Sequence, residues 1–213
     1  MLEIVPLILG PVTTNAYLIA DSDTHEAAVI DPAWDRQLIA AEAKRRNWRI
    51  RQLWITHAHF DHIGGIGDLA RALEDAPVVA LHPGDRPLWD AQGGAALFGF
   101  TLPASPEPTL NLAHRMELEL GGTTFQVLHT PGHTTGHCVF YCIEAGVCFC
   151  GDLIFQNSVG RTDLPGGNWG TLVKSIRSQI FSLPEGTRLL PGHGPETTVG
   201  QEKSGNPFVR ARV

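Results

Sequence analysis

The sequence predicts an α/β (α+β) fold in which two mixed sheets pack together and helices lie outside. Three observations predict it. Short apolar runs separated by turn formers open the chain as a meander. Strand and helix patterns then alternate from Asp35 to Leu81, and the second half repeats both features. Sheets with an apolar face need a partner layer, and helices cover what remains.

Leu2 to Leu9, Ala16 to Ala20 and Ala27 to Ile30 read as the meander strands. Asp35 is placed to cap a helix through Arg46, because a short acidic side chain can take up a free N–H of the first turn. Lys44-Arg45-Arg46 closes that helix where cations complement its dipole. With Arg49 and Arg51 just beyond, this run reads as a solvated helix end and not as a nucleic-acid patch. Leu53-Trp54-Ile55 reads as a buried strand, followed by a helix over about Ile66 to Leu73 and the strand Val78-Val79-Ala80-Leu81.

Residues 93–108, rich in Gly, Ala and Pro and without either period, predict a long loop of the kind that forms lids or binding walls. Met116 to Leu120 and Phe125 to Leu128 flank Gly121-Gly122, a hairpin signal. A second hairpin turns at Glu144-Ala145-Gly146 and carries all four cysteines, with Cys142 expected across from Cys148. No CxxC spacing occurs, so Cys138, Cys142, Cys148 and Cys150 read as small buried hydrophobes and not as a structural zinc site. An irregular loop over 156–167, a helix from an Asn168 cap to about Phe181, and a last short strand at Arg188-Leu189-Leu190 complete the pattern.

The chain has 213 residues, 43% apolar and 18% charged, as in ordinary soluble proteins. A formal net charge of -6 disfavours binding to a phosphate backbone, so no nucleic-acid partner is expected. No window is apolar enough to span a bilayer, so no membrane role is expected either. The segment Met1-Leu2-Glu3-Ile4-Val5-Pro6 has no basic n-region or cleavage site, which makes the cytoplasm the expected location.

The chemistry is concentrated in Thr56-His57-Ala58-His59-Phe60-Asp61-His62. Folding alone has no use for three histidines at such spacing beside an aspartate, whereas imidazole nitrogens and a carboxylate suit zinc, iron or manganese. Gly64-Gly65 follows and predicts a tight backbone turn. Three later sites share one context, a strand end, a glycine and a metal-competent side chain: His133 after Gly132, Asp152 after Gly151 and His193 after Gly192. Ligand groups gather at one set of strand ends in such architectures. The seven groups His57, His59, Asp61, His62, His133, Asp152 and His193 exceed what one catalytic zinc takes. They suit two ions sharing one carboxylate, for which Asp152 is the candidate.

The His-x-His-x-Asp-His run with the later histidine, aspartate and histidine resembles the metallo-β-lactamase superfamily, over nearly the whole chain and including Ile30-Asp31-Pro32. The resemblance implies one domain over 1–213 with the four-layer αββα sandwich. It also implies one ion held by His57, His59 and His133, a second held by Asp61, His62 and His193, and Asp152 bridging. Two divalent ions are expected, zinc as the first choice and iron or manganese as alternatives. Gly160-Arg161-Thr162-Asp163-Leu164-Pro165-Gly166-Gly167 and Pro191-Gly192-His193-Gly194-Pro195 resemble the short branch related to glyoxalase II, the hydroxyacylglutathione hydrolases. The chain departs from full glyoxalase II in having only about twenty residues after His193, too few for the helical extension that completes a glutathione site.

This resemblance implies hydrolysis of a small anionic thioester or ester, most simply an S-2-hydroxyacylglutathione, by a hydroxide bridging the ions, with Asp61 and Asp152 as the catalytic carboxylates. Arg161 is the candidate substrate anion clamp, or else pairs with Asp163 to brace its loop. Asp31 either supports the histidine loop or caps a turn. His129, one strand step before His133, is a candidate support for it, and His137 is left out of the ligand set. A persulfide dioxygenase built on His57, His133 and Asp152, and a lactonase, are the alternative activities.

Overall fold

Two six-stranded mixed sheets frame the protein, and the structure, a computed structural model, describes residues 1–209. The first sheet follows chain order. Its strands β1 (Leu2–Leu9), β2 (Thr14–Asp21) and β3 (Glu26–Ile30) are antiparallel. β4 (Arg49–Trp54), β5 (Val78–Leu81) and β6 (Leu110–Asn111) then add in parallel. Parallel additions need crossovers. These are α1 (Arg36–Arg45), then α2 (Phe60–Ile63) with α3 (Ile66–Ala72), then α4 (Arg86–Asp90) with a 3-10 stretch over Gln92–Phe98.

The second sheet begins as a meander of β7 (Glu117–Leu120), β8 (Thr123–His129), β9 (Cys138–Cys142) and β10 (Val147–Gly151). A small hairpin, β11 (Ile154–Phe155) and β12 (Ser158–Val159), and the helix α5 (Trp169–Ser175) follow. β13 (Arg188–Pro191) then pairs parallel to β10, β14 (Thr197–Thr198) pairs antiparallel to β13, and α6 (Val199–Gly205) comes after it. No helix among the described residues is long and apolar enough to cross a membrane.

Side-chain alternation sorts the apolar residues into three cores. On β2, Leu18 and Ala20 face Ile39 of α1 and Leu69 of α3, while Tyr17 and Ile19 face the second sheet. Between the sheets, Trp54 stands edge-on to Phe125 with ring centroids 4.9 Å apart. Behind the second sheet, Val139 and Tyr141 pack on Leu172 and Ile176 of the α5 region. The result is the four-layer αββα sandwich.

Several local expectations are corrected. Asp35 occupies the cap position of α1, but at φ 50° its carboxylate turns away and accepts the Gly10 N–H at 2.8 Å. Cys142 faces Val147, and Cys148 faces Tyr141. Cys138 and Cys142 therefore lie in the core between the sheets and Cys148 and Cys150 in the core behind them, so strand alternation separates the two pairs of thiols. Residues 93–108 are not all loop: the Ala-rich part winds into the 3-10 stretch, kinked at Gly93 and Gly94, and its Phe98 and Phe100 stack on Phe60 of α2. Arg188-Leu189-Leu190 is not the last strand, since β14 follows.

One buried side chain joins the loops at the C-terminal ends of β4 and β8. Asp85, 1% exposed, accepts the Ala58 N–H at 3.0 Å, the Gly136 N–H at 2.6 Å and the Thr134 hydroxyl at 2.7 Å. Nothing in its sequence context marks it, since it follows a Pro-Gly turn and looks like an ordinary polar turn residue. Each buried donor left without a partner costs about 1–3 kcal/mol. Asp85→Ala is therefore expected to lower unfolding stability by about 3 kcal/mol or more, with Asp85→Asn recovering part of it; urea titration of both variants checks this.

Candidate metal centre

The loops that follow β4, β8, β10 and β13 converge at one edge of the sandwich. His57 and His59 leave β4, and the single turn of α2 immediately swings Asp61 and His62 back over them. His133 follows β8, Asp152 directly follows β10, and His193 follows β13. The Gly64-Gly65 pair serves a different purpose from the expected turn. Both glycines have ordinary helical φ, but a Cβ on either would press into Pro32, Ala33 or Trp34, so the pair lets α2 lie against the Asp31 loop. Gly192 is needed in the same way, because a Cβ there would collide with the Asp152 carboxylate and the His62 ring.

Three imidazoles form the first group. His133 Nε2 lies 2.9 Å from His59 Nδ1 and 3.2 Å from His57 Nε2. His57 titrates well below the ordinary histidine value because it is buried and then because His62, His133 and His59 crowd it. Burial likewise holds His59 down to about 3 and lowers His133. The three rings are therefore neutral, with ring nitrogens close together, and a cation among them would relieve the repulsion of their lone pairs.

The second group is Asp61, His62 and His193, with ligand atoms of all three within 4.8 Å of one another. His193 Nε2 lies 3.2 Å from Asp61 Oδ2. Asp152 stands between the two groups: one oxygen is 3.3 Å from His62 Nε2, and the other is 3.7 Å from both His133 Nε2 and His193 Nε2. Burial opposes charge on His62, yet Asp152, Asp61 and Asp31 outweigh it and push its pKa well up. His193 rises in the same way, burial being overcome by Asp61 and Asp152. Asp61 and Asp152 are lowered, His62 outweighing the burial that opposes their ionisation.

The residues fit divalent ions on a direct observation. His62 Nε2 and Asp152 Oδ1 are both buried and face each other at 3.3 Å without an aligned hydrogen bond, although such atoms are expensive to leave unsatisfied. Coordination to a cation would satisfy both. His57, Asp31 and His62 also bring ligand atoms together, but the Asp31 carboxylate is engaged elsewhere. Its Oδ1 accepts the Thr56 N–H at 2.8 Å, and its Oδ2 accepts the Thr56 hydroxyl at 2.6 Å and His62 Nδ1–H at 2.9 Å. Thr56 Oγ1 in turn accepts from His57 Nδ1 at 3.0 Å. Asp31 thereby fixes the tautomers of two rings and leaves their Nε2 atoms facing the cluster.

Other residues singled out in the sequence fall around this centre. The Arg161 carbonyl accepts from His133 Nδ1 at 2.7 Å, while its exposed guanidinium makes a two-pronged pair with Asp163 at 2.7 Å and 2.7 Å. His129 stacks on His82 at 4.0 Å and its Nε2 meets the Thr135 carbonyl at 3.0 Å, which braces the His133 loop. His137 is buried against His57, with rings stacked at 5.2 Å and Nδ1 bonded to the Thr130 hydroxyl at 2.9 Å, outside the three ligand groups. Two supports besides Asp85 had no sequence signal. Asn15 Nδ2 donates to the Pro191 and Gly194 carbonyls at 3.0 and 2.7 Å, and the Tyr17 hydroxyl donates to the Pro191 carbonyl at 2.7 Å. The first sheet thus holds the His193 loop of the second.

Residues 9–193 match the family described as the metallo-beta-lactamase superfamily. The hydroxyacylglutathione hydrolase GloC of Haemophilus influenzae is 35% identical over 209 residues, which is 95% of this chain and 97% of that protein. The crystal structure of the BLEG-1 B3 metallo-beta-lactamase is similar at a TM-score of 0.90 and 37% identity, covering 99% of this chain and 100% of that one. TTHA1623 in a di-iron-bound form is similar at a TM-score of 0.87 and 41% identity, covering 96% and 99%. The chain belongs to the metallo-beta-lactamase superfamily as a metal-dependent hydrolase, and its His/Asp cluster implies divalent metal ions.

Proposed function

We propose that the protein is a dinuclear hydrolase of small thioesters or esters with glyoxalase II-like chemistry. His57, His59 and His133 hold one ion, Asp61, His62 and His193 hold the other, and Asp152 joins them. The observation that carries this reading is the position of Asp152, whose two oxygens lie close to both groups. Zinc is the first choice of metal, and the di-iron-bound relative keeps iron in contention. When bound, such ions supply a hydroxide nucleophile at neutral pH and an electrophile for a carbonyl oxygen.

The chain's own residues do the rest. Asp61, beside His193 at the half-open side of the cluster, accepts a hydrogen bond from the attacking water and orients it. Asp31, through Thr56 and directly, holds His57 and His62 in one tautomer so that their Nε2 lone pairs stay available. A thiolate leaves without help from an acid, which favours thioesters over amides. The Haemophilus influenzae relative makes S-D-lactoylglutathione the first substrate to test. The Asp163 partner of Arg161 favours the loop-bracing role for that guanidinium, so glutathione is one thiol among several.

Three outcomes test the reading. Protein of measured metal content is expected to hydrolyse S-D-lactoylglutathione or simple thioesters far faster than a His59→Ala, Asp152→Ala double variant; equal rates would sink the hydrolase assignment. Asp31→Asn is expected to weaken metal binding by about 10–100-fold, read by competition with a chromogenic chelator. Because His62 and His193 titrate high, ions of the second group must displace protons, whereas those of the first meet neutral rings. Lowering the pH from about 8 to about 6 is therefore expected to weaken the second equivalent more than the first, by up to about tenfold per pH unit for each proton displaced. Calorimetric metal titration at the two pH values separates the equivalents.

A further inference from the structure

A cavity of about 470 Å³ opens beside His59, within the size range of small-molecule sites. Its walls come from the α4 turn, the 3-10 stretch and the loop after Arg161, and Leu88, Leu97, Phe98, Leu164 and Pro165 make them apolar. Leu97 and Phe98 are 72% and 44% exposed, which is unfavourable for large apolar side chains unless something covers them. Among the described residues, the one titratable side chain in the lining apart from His59 is Asp85, and three donors already occupy its carboxylate. Among the described residues no lysine or arginine lines the cavity, so none of them answers the carboxylates of a peptide-like thiol.

Resting on the hydrolase reading above, we propose that this cavity takes the acyl arm of the substrate and that the arm is an apolar chain or ring. A departing thiolate is charged and gains from solvent, whereas an apolar acyl group gains from burial at a wall of leucine, phenylalanine and proline. His59 belongs both to the cavity's lining and to the first ligand group, so an acyl arm lying against Leu97 and Leu164 brings its carbonyl toward the metal cluster. The substrate class is therefore an acyl thioester whose acyl part is larger and less polar than lactoyl.

Two measurements test this, one of them independent of turnover. The methyl ketones from 2-butanone to 2-octanone carry a carbonyl and no leaving group, and their binding to the protein is followed by NMR titration. The dissociation constant is expected to fall by about tenfold or more along the series, since each buried methylene contributes favourably. Leu97→Asp is expected to flatten the trend and Leu97→Met to restore it; Ala96→Glu at the same rim provides a second variant. A flat series in the wild-type protein overturns the proposal whether or not any thioester is hydrolysed. In parallel, acetyl, butanoyl and hexanoyl esters of one thiol are assayed with the metal-loaded protein. A rise in kcat/KM with chain length supports the acyl arm in the cavity, and a fall from acetyl to hexanoyl overturns it. Complete absence of turnover with a steep ketone series sinks the hydrolase reading while leaving the apolar site in place.

Discussion

The Asp31 carboxylate is the constraint on which the metal centre depends. Buried to 1% exposure, it accepts the Thr56 N–H, the Thr56 hydroxyl and His62 Nδ1–H, and through Thr56 it also orients His57. A buried carboxylate is stable only where such donors surround it. The donors are in place because β3 and β4 run parallel, so that the chain leaving β3 at Asp31 lies next to the chain leaving β4 at Thr56. Glycine at positions 64 and 65 then lets α2 settle on residues 32–34, which brings His62 within reach. One turn of backbone, one carboxylate and two missing Cβ atoms set the directions of the imidazoles.

The same centre also depends on the contact between the sheets. His57, His59, Asp61 and His62 come from the first sheet, and His133, Asp152 and His193 from the second. Asp85 ties the His57-x-His59 loop to the His133 loop, and Asn15 with Tyr17 ties β2 to the His193 loop. The core of Trp54, Phe125, Phe140 and Phe149 keeps the two layers in register beneath these links. Holding so many imidazoles and carboxylates close together in a buried cluster is unfavourable electrostatically, and these cross-links resist the tendency of the layers to spread.

Much of this was legible in the sequence for a physical reason. Imidazoles and carboxylates beside glycines at strand ends leave a pattern that survives without coordinates: His57, His59, Asp61, His62, His133, Asp152 and His193 stand in that context, and the fold brings them to one edge of the sandwich. Short apolar runs likewise revealed β1 to β3, β5 and the hairpins, but only the end of β4, which starts at Arg49 inside the basic run read as a helix end. The supports were not legible, because Asp85, Asn15 and Tyr17 act through long-range hydrogen bonds with no local signature. The 3-10 stretch was missed because alanine and glycine have no apolar period to read. Asp35 was placed correctly as a helix start, but its side chain chose the Gly10 N–H across the chain over the helix, a tertiary preference that local rules do not carry. The pairing of Cys142 with Cys148 failed by one residue of register, and a shift of one residue in a strand changes the face.

The wall of Leu97 and Phe98 is made by a segment that belongs to neither sheet. Its geometry rests on Gly93 and Gly94 in left-handed conformations and on the stacking of Phe98 and Phe100 over Phe60. If the cavity takes the acyl arm as proposed, substitutions at its exposed rim change what it admits without touching the loops that carry the histidines. Reactivity and selectivity occupy separable pieces of the chain, so new substrates can be acquired by drift in one short surface segment while the hydrolytic centre is inherited unchanged.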